Sequence, residues 1–269
     1  MTTNYLTTIF KSNSIISSCK AVLKLSNASV PSNYLIVAKT NSLEFLLIKN
    51  SGELESEFEY QLFANILYIS TIPCHLKGQP DQIFILTTDF QFSIATVNEK
   101  QVCLTCYGEV YFKEYDEVEN AIVVQDYVPC INDFLKGYIG ILIYKNYLMV
   151  IPWKINENGV LTINKVCKIR LTLMEFEICN MVPFGSNSNV ISSKNEYFIG
   201  FLLQGKETNQ FFNSSFFKIY KIEDIDSEIK EPNTDEGWAI KFPETINKII
   251  FLNGDKISKG LLAFGNYGI

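Results

Sequence analysis

The chain is poor in the residues that most often carry chemistry. Among its 269 residues there is one histidine, His75, beside Cys74 in the polar stretch CHLKGQP. Nucleophilic catalysis needs a base held by a third group. Nothing in the sequence supplies such partners, so a solvated loop histidine is the expectation. GxGxxG, phosphate-loop and GxSxG sequences are missing, which removes the common signatures of dinucleotide, nucleotide and α/β-hydrolase sites. The two tryptophans, Trp153 and Trp238, precede Lys and Ala, so the WD dipeptide of one large repeat class is absent as well.

Long hydrophobic runs are also lacking. The most apolar stretch, YIGILIYKNYLMVI (138–151), is broken by Lys145-Asn146 and is too short to span a bilayer. The N-terminus MTTNYLTTIFKSNSIISSCKAV has no basic start and no long apolar centre, unlike a secretory signal. A soluble intracellular protein is therefore expected. Asn27-Ala28-Ser29 and Asn213-Ser214-Ser215 fit the N-glycosylation pattern, but without an entry signal they read as chance matches. Positive charge is short too: 23 Lys and Arg against 29 Asp and Glu give a net charge of -6 and a pI near 5.0. A phosphate backbone attracts clustered Lys and Arg, so nucleic acid is expected only through partners.

Seven cysteines stand at 19, 74, 103, 106, 130, 167 and 179. The odd count and apolar surroundings (VCLTC, FEICN) suit reduced, buried thiols. Cys103 and Cys106 have CxxC spacing, but a zinc site needs about four ligands and there is no second pair. On a regular strand, i and i+3 also face opposite sides, so two unrelated cysteines are expected. Asp224, Asp226, Glu228 and Asp235 resemble a calcium loop until its sixth position, where Ile229 stands and glycine is required. EDIDSEIKEPNTDEG and EYDEVEN (114–120) are read as solvated acidic loops. No metal, cofactor or catalytic residue is expected.

What the chain does have is apolar residues, 47% of the total against 19% charged, enough for a sizeable core. Sustained helical spacing is nearly absent. Short apolar runs bounded by Asn, Gly, Ser, Pro and Asp recur instead, which predicts an all-β fold. Three of them share one form: YLIVAKTNSLEFLLI (34–48), QIFILTTDFQFSIATV (82–97) and YIGILIYKNYLMVIPW (138–153). Each is an apolar strand, a polar turn (at Asn41, Asp89 or Asn146) and a second apolar strand. A fourth copy spans 197–222 with GKETNQ at its tip, and the fifth is GLLAFGNYGI with Asn266 at the turn. Asn41 to Asn266 is 225 residues over four intervals, a mean of about 56, in the range of repeat arrays.

Between the hairpins lie a polar-alternating strand and then a more apolar one. The first kind is ELESEFEY, KQVCLTCYGEV, GVLTINKVCKIRL and EGWAIKF; the second is NILYIS, NAIVVQD, FEICNMV and NKIIFLN. CKAVLKLS precedes the first hairpin. Each unit is thus a four-stranded meander, the form of a β-propeller blade. In ELESEFEY, Leu54, Ser56 and Phe58 are expected on one face and Glu53, Glu55, Glu57 and Glu59 on the other. The blades are placed at about 19–62, 63–112, 118–172, 174–243 and 245–269, after an N-terminal strand segment (1–18) containing NYLTTIF. Four blades and part of a fifth make an incomplete propeller, so the chain is expected to be a piece of a larger one.

These stretches, in this order, resemble the first propeller of the triple-propeller family. That family includes the cullin–RING ubiquitin-ligase adaptor damaged-DNA-binding protein 1, the large subunit of the cleavage and polyadenylation specificity factor, and a propeller subunit of splicing factor 3b. NYLTTIFKSNSIISSC, LIVAKTNSLEFLLIKNSGEL, QIFILTTDFQFSIATV, GYIGILIYKNYLMVIPW and KIRLTLMEFEICNMVPFG carry the likeness, and the ligase adaptor is the nearest in pattern. The loops 204–215 and 223–237 depart from it. The resemblance implies a nuclear or cytoplasmic scaffold that docks substrate receptors, with mRNA 3′-end processing or splicing as the alternative. It implies no cullin surface, since that lies on the second propeller. Receptor-contact residues are left unassigned, because the loops are where the chain departs. A closed five-bladed hydrolase is the remote alternative; its carboxylates would come from Asp126, Glu175 and Glu177 on the innermost strands.

Overall fold

The apolar runs and their polar turns form β-strands, and no helix occurs among the described residues. The computed structural model describes residues 14–25, 31–74, 76, 78–110, 124–133, 136–143, 147–163, 166–172, 176–184, 197–205, 214–222, 229–230, 240–242, 244–252 and 260–265.

Strands consecutive in sequence pair antiparallel. The first sheet is β1 (Ser17–Leu23), β2 (Ser32–Ala38), β3 (Ser42–Ile48) and β4 (Leu54–Gln61), in that order. The second is β5 (Ile66–Ile72), β6 (Gln82–Thr87), β7 (Gln91–Asn98) and β8 (Gln101–Glu109). The third runs β9 (Val124–Asp133), β10 (Lys136–Ile143), β11 (Tyr147–Ile155), and then two short strands, β12 (Leu161–Ile163) and β13 (Cys167–Thr172), both paired to β11. The fourth holds β14 (Phe176–Phe184), β15 (Tyr197–Gly205) and β16 (Ser215–Ile222), and is completed by the short β18 (Ile240–Phe242). Between them in sequence, β17 (Ile229–Lys230) adds to the third sheet, parallel to β13 at Leu171 and Thr172. Last come β19 (Ile246–Leu252) and β20 (Gly260–Gly265), a two-stranded sheet. Four-stranded antiparallel meanders are the form of propeller blades, and the all-β expectation holds.

Three details differ from the sequence reading. Ile229–Lys230, assigned to an acidic loop, pairs with β13; an Ile in that loop gives it one strand-forming position. GVLTINKVCKIRL is two strands rather than one. EGWAIKF contributes Ile240–Phe242 as strand; its earlier residues, NYLTTIF, EYDEVEN, GKETNQ past Gly205, and the turn residues Asn146 and Asn266 lie outside the described residues.

The chain divides into two compact units, residues 1–119 with 155–160, and residues 120–154 with 161–269. In the first, the middle strands are buried and the outer strand is not: β6 is buried throughout, whereas β4 is partly or fully exposed at every position. Apolar runs mark strands covered on both faces, and alternation marks a solvated one. Leu23, Ile36, Phe45, Ile69, Ile85 and Val97 belong to its core, shared by the first two sheets. The second unit has its own core, including Leu202, Phe217, Ile246 and Ile249, with Phe176 and Phe216 edge-to-face at 5.3 Å.

β-Bulges recur. On the first strands of four sheets residues are skipped in the pairing: Leu67 in β5, Gln125 and Asn132 in β9, Cys179 in β14 and Asn247 in β19. On the outer strands β4 and β8 the skip falls opposite matching points, Phe45/Leu46 and Ile94/Ala95. A bulge kinks and twists its strand and shifts its alternation by one residue. That overturns two expectations. In β4 the bulge at Glu57 puts Phe58 on the opposite face from Ser56: Phe58 stacks on Phe45 (centroids 4.3 Å apart), while Ser56 pairs Leu46. In β8 the bulge at Thr105 brings the positions of Cys103 and Cys106 opposite Thr96 and Ile94, two residues apart on β7. The two cysteine positions therefore share a face.

Candidate interaction surface

The turns of the first unit place a connected rim at one end of its two sheets. Lys39 N–H donates to Ser42 O and closes the β2–β3 turn over Thr40 and Asn41. The loop Leu62–Asn65 links β4 to β5 and is fastened on both sides. Leu62 N–H donates to Asn41 O, Ile66 N–H to Thr40 O, and Thr88 N–H to Asn65 O, all within 2.9 Å. The β6–β7 turn then joins the end of β8, as Val110 N–H donates to Phe90 O at 2.8 Å. Phe90 holds φ at +58°, the left-handed position that often follows a three-residue hairpin turn. Thr40, Asn41, Asn65, Thr88 and Asp89 are exposed on this rim, and Phe63 is fully exposed (112%).

Behind the rim lies a charged cluster. Glu44 and Glu59 face each other across β3 and β4, an arrangement that repels unless a cation intervenes. Lys39 supplies it, with Nζ 3.1 Å from Glu44 Oε2 and 3.2 Å from Glu59 Oε1. Ser56 and Ser42 hydroxyls donate to Glu44 and Glu59 respectively. Burial pulls the Lys39 ammonium down, but its contacts with the two carboxylates outweigh this and leave it raised. Hydrogen bonding from Ser42, with help from Lys39, overcomes burial and holds the Glu59 carboxyl low. One lysine against two carboxylates leaves a net negative charge here.

At the other end of these sheets Asp81, 7% exposed, joins the first sheet to the second. Val22 N–H donates to its Oδ2 (2.7 Å) and Cys74 N–H to its Oδ1 (2.9 Å). Its own backbone N–H donates to Val22 O at 2.8 Å. The free edge of β1 is thus satisfied by the next sheet. Two further contacts act alike: Ile69 N–H donates to Ser17 Oγ, and Thr71 Oγ1 donates to Lys20 O. In the second unit Ile249 N–H donates to Asn180 Oδ1 at 3.3 Å. Ile69 and Ile249 occupy matching places on their strands, two residues past the bulges at Leu67 and Asn247. Side chains from one innermost strand so satisfy the backbone of the next.

His75 and the acidic positions Asp224, Asp226, Glu228 and Asp235 lie outside the described residues, as does Glu175. Asp126 and Glu177 stand in β9 and β14, opposite Leu142 and Gln204. Among the described residues no three His, Cys, Asp or Glu side chains group as metal ligands. No helix among them is long and apolar enough to cross a membrane. Cys19 is half-buried, and desolvation of its thiol pushes it up to about 11, so it stays protonated at neutral pH.

The sequence reading missed Phe63, Asp81 and the Lys39–Glu44–Glu59 cluster. Glu44 had a signal: a carboxylate inside the apolar run SLEFLLI needs a partner. Phe63 had none, since an exposed Phe and a core Phe look alike in one sequence.

The family model described as the RSE1/DDB1/CPSF1 first β-propeller matches residues 18–237. No curated protein matches the chain.

Proposed function

The chain belongs to the RSE1/DDB1/CPSF1 family through its first β-propeller, and on that premise we propose a non-enzymatic, protein-binding scaffold of the ligase-adaptor kind. It docks substrate receptors of a cullin–RING ubiquitin ligase, in the nucleus or the cytoplasm, and meets nucleic acid through its partners. The family match over 18–237 supports the scaffold role, and the likeness in pattern to the ligase adaptor favours that kind. The stapled turns around Phe63 support it, because loops held on a rigid sheet scaffold are where binding concentrates. The net charge of -6 supports the indirect role toward nucleic acid.

The family description also spans polyadenylation and splicing lineages, which favours an RNA-processing scaffold as the second reading. Purified chain, immobilised and challenged separately with ligase substrate receptors and with polyadenylation or splicing subunits, separates the two. Retention of a receptor supports the adaptor reading; retention of RNA-processing subunits alone replaces it. Hydrolysis of a panel of glycosides, lost in Glu177→Gln, would overturn the non-enzymatic assignment.

A further inference from the structure

We propose that the rim around Phe63 is a docking site for a protein segment that carries an apolar side chain flanked by Lys or Arg. This deepens the scaffold reading and rests on it.

Phe63 is the most exposed large apolar residue among those described, at 112%, where Leu104 and Val160 reach 54%. An exposed Phe on a mobile tip would mean little, but this one stands on a loop tied down at Leu62, Asn65 and Ile66. A pre-ordered aromatic loses little entropy on binding, which suits an interface anchor. The half-buried side chains of Leu62, Ala64 and Phe90 belong to the same rim.

Charge selects the occupant. Asp89 is exposed in the β6–β7 turn, and Glu109 is exposed at the end of β8, paired in register with Gln91 just past that turn. Neither forms an ion pair among the described residues, where the ion pairs are those of Lys39 and Lys49. Glu59 keeps 37% of its side chain exposed. The only described cation at this end, Lys39, is already engaged by two carboxylates. The field around Phe63 is negative, so it attracts a basic segment and repels an acidic one.

The test uses the full chain and two fluorescent twelve-residue peptides. Both carry one Leu-Trp pair; one has arginines on either side and the other glutamates. The arginine peptide is expected to bind at least tenfold tighter. Phe63→Ala is expected to weaken it about tenfold, and Asp89→Lys with Glu109→Lys to do the same. General attraction to an acidic protein would survive Phe63→Ala, so an unchanged affinity in that variant overturns the proposal. Phe63-dependent self-association in sedimentation also overturns it, in favour of a second copy as occupant. These sites are exposed, and unchanged hydrogen exchange in β2, β3, β6 and β7 verifies folding. A chain that still retains a receptor while Phe63→Ala changes nothing loses this surface and keeps the scaffold function.

Discussion

Replacing Asp81 tests whether adjacent blades are joined through backbone groups. Two N–H groups, from Val22 at 2.7 Å and Cys74 at 2.9 Å, point at one buried carboxylate. Hydrogen bonds to a charged group contribute about 1.5–3 kcal/mol each. The Cys74 N–H is buried and would lose its acceptor outright, at a cost of about 1–3 kcal/mol. The bond from Val22 is only part-buried, so water recovers much of it, leaving about 1 kcal/mol. Asp81→Ala is therefore expected to destabilise the first unit by about 2–4 kcal/mol. Asp81→Asn keeps one acceptor oxygen and turns an amide N–H₂ toward the other donor, so it should recover less than half of the loss. Both tryptophans lie in the second unit, so their fluorescence cannot report the effect. Hydrogen exchange by mass spectrometry can, through peptides covering β1, β5 and β6. Their slowest amides should exchange roughly 30- to 700-fold faster, at tenfold per 1.4 kcal/mol. Less than a threefold change in Asp81→Ala, or an Asp81→Asn chain as protected as the parent, would refute the reasoning.

Four further outcomes are expected. Glu99 and Lys100 both hold positive φ, 48° and 65°, in the two-residue turn between β7 and β8; replacing them with Asn-Gly should raise stability by about 1–2 kcal/mol in urea unfolding. Gly108 faces Phe92, whose ring would lie 2.5 Å from an added Cβ, so Gly108→Val should cost about 1–3 kcal/mol by the same assay. Cys103 and Cys179, expected to be buried from their apolar surroundings, are exposed, so alkylation of the native chain followed by peptide mapping should label them well before the half-buried Cys19 and the buried Cys74. The lowered Glu59 carboxyl stabilises the fold above its usual value of 4.5, and that contribution is lost as pH falls through the lowered one. The raised Lys39 contributes below 10.5 and loses it as pH rises through its own value. With Glu59 partly exposed the acid effect is small, and Glu59→Gln should flatten the acid limb of a stability–pH profile.

Strand identity and blade period were legible because burial writes them directly. Strands covered on both faces need near-continuous apolar runs, as in QIFILT, and turns need Asn, Asp or Gly. The bulges were not legible. One skipped residue at Glu57 or Thr105 leaves composition untouched but moves Phe58 and Cys106 to the other face, so strict alternation misplaced both. The split of GVLTINKVCKIRL into β12 and β13, and the pairing of Ile229–Lys230, depend on neighbours distant in sequence. The rim and the Asp81 clasp are likewise long-range: Val22 and Asp81 lie 59 residues apart. Local pattern carries no record of such pairs.

The central claim is that these blades form a protein-binding scaffold of the ligase-adaptor kind. Interferometry of the full chain against purified cullin–RING substrate receptors tests it most directly, with hydrogen-exchange protection of β2, β3, β6 and β7 as proof of folding. Saturable binding of at least one receptor is expected. A protected, folded chain that binds none of them would contradict it.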